Sequence, residues 1–530
     1  MLLPAEVGAA VPGRGSRVVS SSESAPERVV PRRRGGRGGR LWPGALTVAV
    51  VLPLAACGED LGGGGDAASI TMLRSEVGDG LEEWTAGPEE YEHHHFLPET
   101  DVEIDIALPR FTDAAPFTEG LAARVDEEVQ DFRAGTRDPV RLEVDWELVG
   151  AADGVLGVRL VRTEEDMHGL REGYATYWYD AATGHTAYST ELLAGQEDLA
   201  TLNDLVLEDL ADDEEVDPDA LFPVLRTYDS IGFNDDGDLV VEFDDGHLSP
   251  VVEGHVPNAE FGRKVVVVDH DTATPLLSEL GARAREASLV DEPDLAPPAT
   301  AGQEAESDAD RPPGRIVPHD PDVDCDDAAT KCVALTFDDG PVEATSHLLD
   351  ILAEEEVTAS FFVNGGPVLT RPGPLRRAYA EGHEIASHGD VHEHMNRMDA
   401  EELPGQVAAV SAMTRRQTGH TVELFRPPFG ATDENVLATI ADQDMVETMW
   451  TVDSKDWEGL DRDRIVENVV GEVEPGGVVL LHDPQAPAIA AMPEIIERLR
   501  ADDYTFVTTS QAMGHPDPGS RFPEDWDGSW

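Results

Sequence analysis

From Lys331 onward, short apolar runs rich in β-forming residues alternate with helical patterns, and this alternation constrains the fold more than any other feature of the chain. KCVALTFDD leads to ATSHLLDILAEEEV, ASFFVNGG to PGPLRRAYAEG, and HEIASH to DAEELPGQVAAVSAMTRRQTG. VELFRPPFG leads to DENVLATIADQD, ETMWTVDS to DRDRIVENVVGEV, and VVLLHD to APAIAAMPEIIERLRADD, with YTFVTT closing the series. Seven strand-like runs joined by helices predict an α/β fold with a parallel sheet. Closed on itself, that sheet is a distorted (β/α) barrel whose site lies at the C-terminal ends of its strands.

The segment before it reads differently. Residues 70–285 mix strand and helix patterns and predict a separate N-terminal α+β domain. FTEGLAARVDEEVQDFRAG (117–135) has the spacing of an amphipathic helix, LEVDWELVG (142–150) and GVLGVRLVRTEE predict strands, and YATYWYDAATGHTAY (174–188) predicts a hairpin around Thr183-Gly184. Residues 286–320 are rich in Pro, Ala and acid, a composition that predicts a disordered, self-repelling linker. The catalytic barrel is expected over 321–515, with a tail at 516–530.

Charge is lopsided. The 530 residues carry 107 Asp+Glu against 38 Lys+Arg, a net −69, and residues 1–56 hold eight Arg against three acids, leaving −74 on the remainder. Such a surface repels a phosphate backbone, which excludes nucleic acid as a partner. Two readings account for it: adaptation to a salty exterior, or an acidic exported protein that favours Arg over Lys.

The basic stretch PRRRGGRGGR is followed by the apolar run LWPGALTVAVVLPLAA (41–56) and then Cys57. That run is short for a membrane span but suits a secretory signal. Its end, Leu54-Ala55-Ala56-Cys57, resembles a bacterial lipobox. The similarity implies a lipoprotein signal over 1–56, a lipid anchor on Cys57 at the outer face of the cytoplasmic membrane, and a Gly-rich tether over 57–69. Two cysteines remain, Cys325 and Cys332. In an exported chain they are expected to pair, a constraint worth roughly 2.5 kcal/mol for so short a ring; two free thiols are the alternative. His93, His94 and His95 are read as a solvated cluster rather than a metal site.

Polar residues collect at the ends of the predicted barrel strands. Asp338 and Asp339 end the first run, and His388 ends the third, with His392 four residues on. Arg426, Pro427, Pro428 and Phe429 end the fourth. Asp453, Asp456 and Trp457 follow the fifth, and His482 and Asp483 end the sixth. Two histidines at i,i+4 on one helical face, with an Asp, make a three-ligand site with open positions of the kind a catalytic zinc needs. A zincin arrangement is excluded, because His383-Glu384 stands five residues before His388 where that motif requires four.

In order, Thr336-Phe337-Asp338-Asp339-Gly340, His388-Gly389-Asp390-Val391-His392, Arg426-Pro427-Pro428-Phe429-Gly430, Asp453-Ser454-Lys455-Asp456-Trp457 and Leu480-Leu481-His482 resemble the five motifs of polysaccharide deacetylases with NodB-homology domains, carbohydrate esterase family four. The resemblance implies that Asp339, His388 and His392 hold a divalent metal, Zn²⁺ or else Co²⁺, Mn²⁺ or Ni²⁺. It implies Asp338 as general base, kept ionised by Arg426, and His482 as the acid for the leaving amine, oriented by Asp456. The Phe429 backbone N–H would stabilise the oxyanion, and Trp457 and Leu480 would shape the acetyl pocket. Gly389 departs from the family's usual Ser or Thr, which removes a hydroxyl expected to brace the loop. Asp390 is an extra acid expected beside the metal, where it would alter metal choice.

The N-terminal segment resembles an extracytoplasmic domain of lysozyme-sensing anti-sigma factors and Bacillus-type peptidoglycan deacetylases. The likeness rests on its strand pair with a Tyr-rich turn, Phe243 in an acidic strand, and the Ser249-Pro250…Gly254 turn. The implied partner is cell-wall glycan or lysozyme. Two function classes follow: a metal-dependent N-deacetylase of peptidoglycan GlcNAc or MurNAc (or of chitin oligomers or another exopolysaccharide), and a glycan- or lysozyme-binding sensor lipoprotein with an inactive barrel. The motifs retain every ligand and the base, which favours the enzyme.

Overall fold

The computed structural model describes residues 69–73, 80–86, 102–252, 255–295, 312–327, 329–524 and 526. The expected signal, Cys57, nearly all of the tether and His93–His95 lie outside the described residues. Among the described residues no helix is long and apolar enough to cross a membrane.

The N-terminal half is built on two sheets. The first runs in spatial order β1 (Leu81–Ala86), β2 (Glu103–Phe111), β3 (Arg141–Ala152), β4 (Val155–Asp166), β5 (Gly169–Asp180), β6 (His185–Tyr188). Only β2 and β3 are parallel, because α1 (Ala115–Gly135) crosses over between them. The helix lays Phe117, Leu121, Val125, Val129 and Phe132 onto the sheet, with Phe117 stacked between Phe111 and Tyr179 at 5.3 Å from each. The β5–β6 hairpin turns at Thr183-Gly184, where Gly184 has φ 76°. After α2 (Gln196–Asp209), three antiparallel strands, β7 (Ser230–Phe233), β8 (Leu239–Phe243) and β9 (Lys264–Val268), form the second sheet. The short α3 (His270–Ala273) and α4 (Glu279–Ser288) close this half.

The linker is shorter than its composition predicts. α4 runs through Ser288, Asp294 N–H donates to Ala151 O, and Ile316 N–H donates to the Tyr379 hydroxyl. Residues 286–295 and 312–320 are therefore laid against folded surfaces, and only 296–311 lie outside the described residues. The two halves also pack on one another rather than standing apart. α1 lies along a barrel helix, with Arg415 paired to Asp131 and Arg416 to Glu164.

The barrel half follows the alternation read from the sequence: β10 (Lys331–Asp338), α5 (Thr345–Glu354), β11 (Ser360–Val363), α6 (Gly365–Thr370), α7 (Pro372–Ala380), β12 (Glu384–Ser387), α8 (Leu403–Thr418), β13 (Leu424–Phe425), α9 (Glu434–Ala441), β14 (Val446–Thr448), β15 (Val452–Asp453), α10 (Arg462–Glu472), β16 (Gly477–His482), α11 (Ala486–Ala501), β17 (Tyr504–Phe506), α12 (Thr509–Ala512) and β18 (Arg521–Phe522). All pairings are parallel, in the order β15-β16-β10-β11-β12-β13-β14-β18, with β17 beside β10. The strands at its centre are buried on both faces, as helices on the outside require.

Two details differ from expectation. The single run ETMWTVDS is two strands, β15 at one end of the ladder and β14 next to the last strand at the other, and Met449, Trp450 and Thr451 carry the chain between them. The described part of the expected tail joins the barrel: β18 pairs with β14, and Trp526 packs edge-on against Trp450 at 4.8 Å. Cys332, in β10, is bonded to Cys325, with Cα atoms 5.7 Å apart.

Candidate active site

Parallel strands bring their C-terminal ends to one mouth. Asp338 is the last residue of β10, Asp453 of β15 and His482 of β16, while His388 and Arg426 directly follow β12 and β13. Register makes Asp338 and His482 lateral neighbours, and Ser387 and Phe425 likewise. Five segments far apart in sequence therefore supply one site.

Arg426 fills the barrel interior and is fully buried. Its guanidinium donates to Asp338 Oδ1 at 2.6 Å, Thr336 Oγ1 at 2.9 Å, and the Thr448 and Met449 carbonyls at 3.2 Å, and lies 3.8 Å over the Phe362 ring. Asp338 is 2% exposed. Burial pushes its carboxyl above the ordinary carboxylate range, and the pull of Arg426 and His482 offsets only part of that. Arg426 was expected to lower this pKa and keep Asp338 ionised; it does lower it, but desolvation outweighs it, and Asp338 is left a stronger base than a solvated carboxylate.

Asp339, His388 and His392 bring one ligand atom each within 4.8 Å of one another. His392 Nε2 is 3.3 Å and His388 Nε2 3.7 Å from Asp339 Oδ1. That oxygen is buried and has no hydrogen-bond partner among the described residues. His388 Nδ1 donates to the Arg426 carbonyl at 2.7 Å, which turns the Nε2 lone pair toward the cluster. Burial lowers the His388 pKa to about 3, so the ring is neutral. Two imidazoles facing a carboxylate oxygen that no other described residue satisfies are the donor set a divalent cation takes, and the residues fit one.

The two histidines do not share a helix face. Residues 388–394 form a loop, because Gly389 sits at φ 80° and turns the chain after β12. A side chain at 389 would be strained by that φ, which accounts for glycine where a hydroxyl residue was expected. The brace comes instead from Asn364, whose amide donates to the His388 and Gly389 carbonyls at 2.8 and 2.9 Å. Asp390, expected beside the metal, is not among the converging donors; its carboxylate is held by Arg137 of the N-terminal half.

Across the mouth, His482 Nδ1 is 2.7 Å from Asp456 Oδ1, and its backbone N–H donates to Oδ2 at 2.8 Å. Burial lowers the imidazole pKa, but the bond and charge of the fully buried Asp456, with Asp338 and Asp339, win and push it up to about 9. His482 is thus protonated at neutral pH and held in place by Asp456. Asp453 accepts from Lys455 N–H and from the Trp457 indole.

The rim is aromatic. Phe429, at φ 60° and 58% exposed, sets its ring 4.4 Å from both His392 and His394. Trp457 is 55% exposed, whereas Leu480 is buried in a cluster with Met449, Trp450 and Trp526. Sequence reasoning missed Asn364, Trp450, Trp526 and Arg137. Asn364 alone had a signal, its place at the end of a strand run.

Residues 326–447 match the polysaccharide deacetylase family. Among curated proteins, the chain is 32% identical over 185 residues to the peptidoglycan-N-acetylglucosamine deacetylase PgdA of Listeria monocytogenes serotype 1/2a (strain 10403S), covering 35% of this chain and 39% of that one. It is 38% identical over 164 residues to the chitooligosaccharide deacetylase of Bradyrhizobium sp. (strain ANU 289), covering 31% and 75%. It is 34% identical over 181 residues to a peptidoglycan-N-acetylglucosamine deacetylase of Bacillus cereus (strain ATCC 14579), covering 33% and 66%. The chain thus spans 39% of the length of PgdA.

Proposed function

The chain belongs to the polysaccharide deacetylase family, and on that premise we propose that it hydrolyses N-acetyl groups on the GlcNAc or MurNAc residues of peptidoglycan. The observation that carries this is the placement of a buried base, a three-donor cluster and a charged histidine around one mouth.

Asp339, His388 and His392 would hold the cation, zinc first and cobalt, manganese or nickel as alternatives. When bound, it supplies Lewis-acid polarisation of the acetyl carbonyl and acidifies water. Asp338 Oδ1 is occupied by Arg426, so Oδ2, 3.7 Å from His388 Nε2, takes the proton of the attacking water. His482 Nδ1 is occupied by Asp456, so Nε2 gives the proton to the departing amine. Arg426 fixes Asp338 and transfers no proton itself. The backbone N–H of Phe429 donates to the developing oxyanion, and Trp457 with the Leu480 cluster walls the acetyl group.

Export on a lipid anchor at Cys57 places this site against the wall. Cys57→Ala is expected to move the protein from the membrane fraction to the medium or to an uncleaved precursor; unchanged retention with normal processing refutes the anchor. The similarity to PgdA and to the Bacillus cereus protein supports peptidoglycan, and the resemblance read in the N-terminal sequence is what suggests a wall-binding or lysozyme-binding role for that half. The similarity to the Bradyrhizobium protein supports a second reading, chitin oligomers. Wall glycan from wild-type and deletion cells separates them. Peptidoglycan sugars lacking acetyl groups in the wild type alone are expected. Equal acetylation in both strains, with activity only on chitin oligomers, would overturn the first reading.

A further inference from the structure

The N-terminal half reaches the loop that carries two of the metal donors. Arg137, in the turn between α1 and β3, presents both terminal nitrogens to the two oxygens of Asp390, across 253 residues of sequence. Asp390 lies between His388 and His392, and its side chain is 6% exposed while that of Arg137 is 35% exposed. A two-pronged guanidinium–carboxylate pair with one partner this buried is among the stronger polar contacts available to a protein.

The loop is seated from three sides. The Asp390 N–H donates to the Gln406 carbonyl at 3.2 Å, and the Val391 N–H to Gln406 Oε1 at 3.1 Å, so α8 holds it from below. At the start of α6, a Cβ on Gly365 would lie 2.2 Å from Asp390 Oδ1, so only glycine leaves room for the carboxylate. Arg137 closes the third side. A buried carboxylate two residues from each of two imidazole donors needs a counter-charge, which the cation or another side chain can supply. Here it pairs elsewhere, and the converging donors are Asp339, His388 and His392 without it.

We infer that Arg137 is a positioning residue for the metal site, and that the N-terminal domain is by this contact a working part of the deacetylase. Arg137 occupies Asp390, keeps it out of the donor set, and fixes the 388–392 loop so that both imidazoles face Asp339. The inference rests on the reading of Asp339, His388 and His392 as cation donors.

The test uses the full chain as wild type, Arg137→Gln, Arg137→Lys and Arg415→Gln, the last breaking a pair in the same interface but farther along α8. Zn²⁺ affinity is measured against a chelating dye, the Co²⁺ visible spectrum is recorded, and amide exchange of residues 388–394 is followed without metal. Arg137→Gln is expected to weaken zinc about tenfold or more, alter the cobalt spectrum and speed loop exchange. Arg137→Lys recovers part, because an ammonium keeps the charge without the fork. Arg415→Gln leaves all three at wild-type values. If Arg137→Gln does not fold, Asp390→Asn breaks the same pair and is expected to give the same changes. Unchanged affinity and exchange in these variants, or equal losses in Arg415→Gln, would overturn the inference. A wild-type chain that binds neither Zn²⁺ nor Co²⁺ overturns the metal reading itself, and the inference with it.

Discussion

Replacing Asp456 by Asn should move the alkaline limit of catalysis by more than two pH units. The carboxylate is fully buried and makes two contacts with His482, at 2.7 Å to Nδ1 and 2.8 Å to the backbone N–H. An amide keeps the shape and removes the charge. Burial then acts on His482 with less opposition, and its pKa falls from about 9 to ~6.5 or below. A fall of ~2.5 units is worth roughly 3 kcal/mol of preference for the imidazolium. At pH ~8.5 about three-quarters of wild-type His482 carries its proton, against ~1% in the variant, so kcat/KM should drop about 75-fold there. Near pH 6 the loss should be much smaller.

The same group links pH to stability. Its folded pKa is raised, so its contribution is complete below ~6.5 and is lost as pH rises through ~9. The assay is acetate release from an N-acetylglucosamine oligomer as a function of pH, with thermal melts alongside. An alkaline limb that stays near 9 in Asp456→Asn would refute the assignment of His482 as the acid held protonated by Asp456.

Asp339→Ala, His388→Ala and His392→Ala should each lose bound metal, while Asp338→Asn keeps it and loses ~10²-fold or more in turnover; metal analysis showing the Asp338 variant empty and the Asp339 variant full would reverse the two roles. Truncation after residue 515 removes β18 and the Trp526 ring that covers Trp450, so it should lower the melting temperature and weaken activity on every substrate. A truncated chain with wild-type stability would show that the tail is not part of the barrel.

The catalytic half was legible because a parallel sheet converts sequence order into spatial order. Once a run is a strand, the residue at its end is at the mouth, which is how Asp338, His388, Arg426 and His482 were placed. What was not legible depended on backbone turns or on distant partners. Spacing of four residues suits a helix face and a glycine-turned loop equally, and only the φ of Gly389 separates them. ETMWTVDS has no Gly, Pro or Asn to mark Met449–Thr451 as the crossing from β14 to β15, strands that are not neighbours in the ladder. β18 is two residues long, too short for any period to show. Arg137 and Asp390 meet across 253 residues, and nothing local in either segment announces the pair. The pKa of Asp338 was misjudged because sequence reveals a charged neighbour more readily than the burial that outweighs it.

The central claim, a metal-assisted N-deacetylase working through Asp338 and the Asp339–His388–His392 cluster, is tested most directly by mass spectrometry of peptidoglycan fragments incubated with the zinc-loaded chain. Sugars lighter by one acetyl group each are expected with wild type, and unchanged fragments with zinc-loaded Asp338→Asn. Fragments left unchanged by the wild-type chain under zinc, cobalt, manganese and nickel alike would contradict it, as would equal deacetylation by the Asp338→Asn variant.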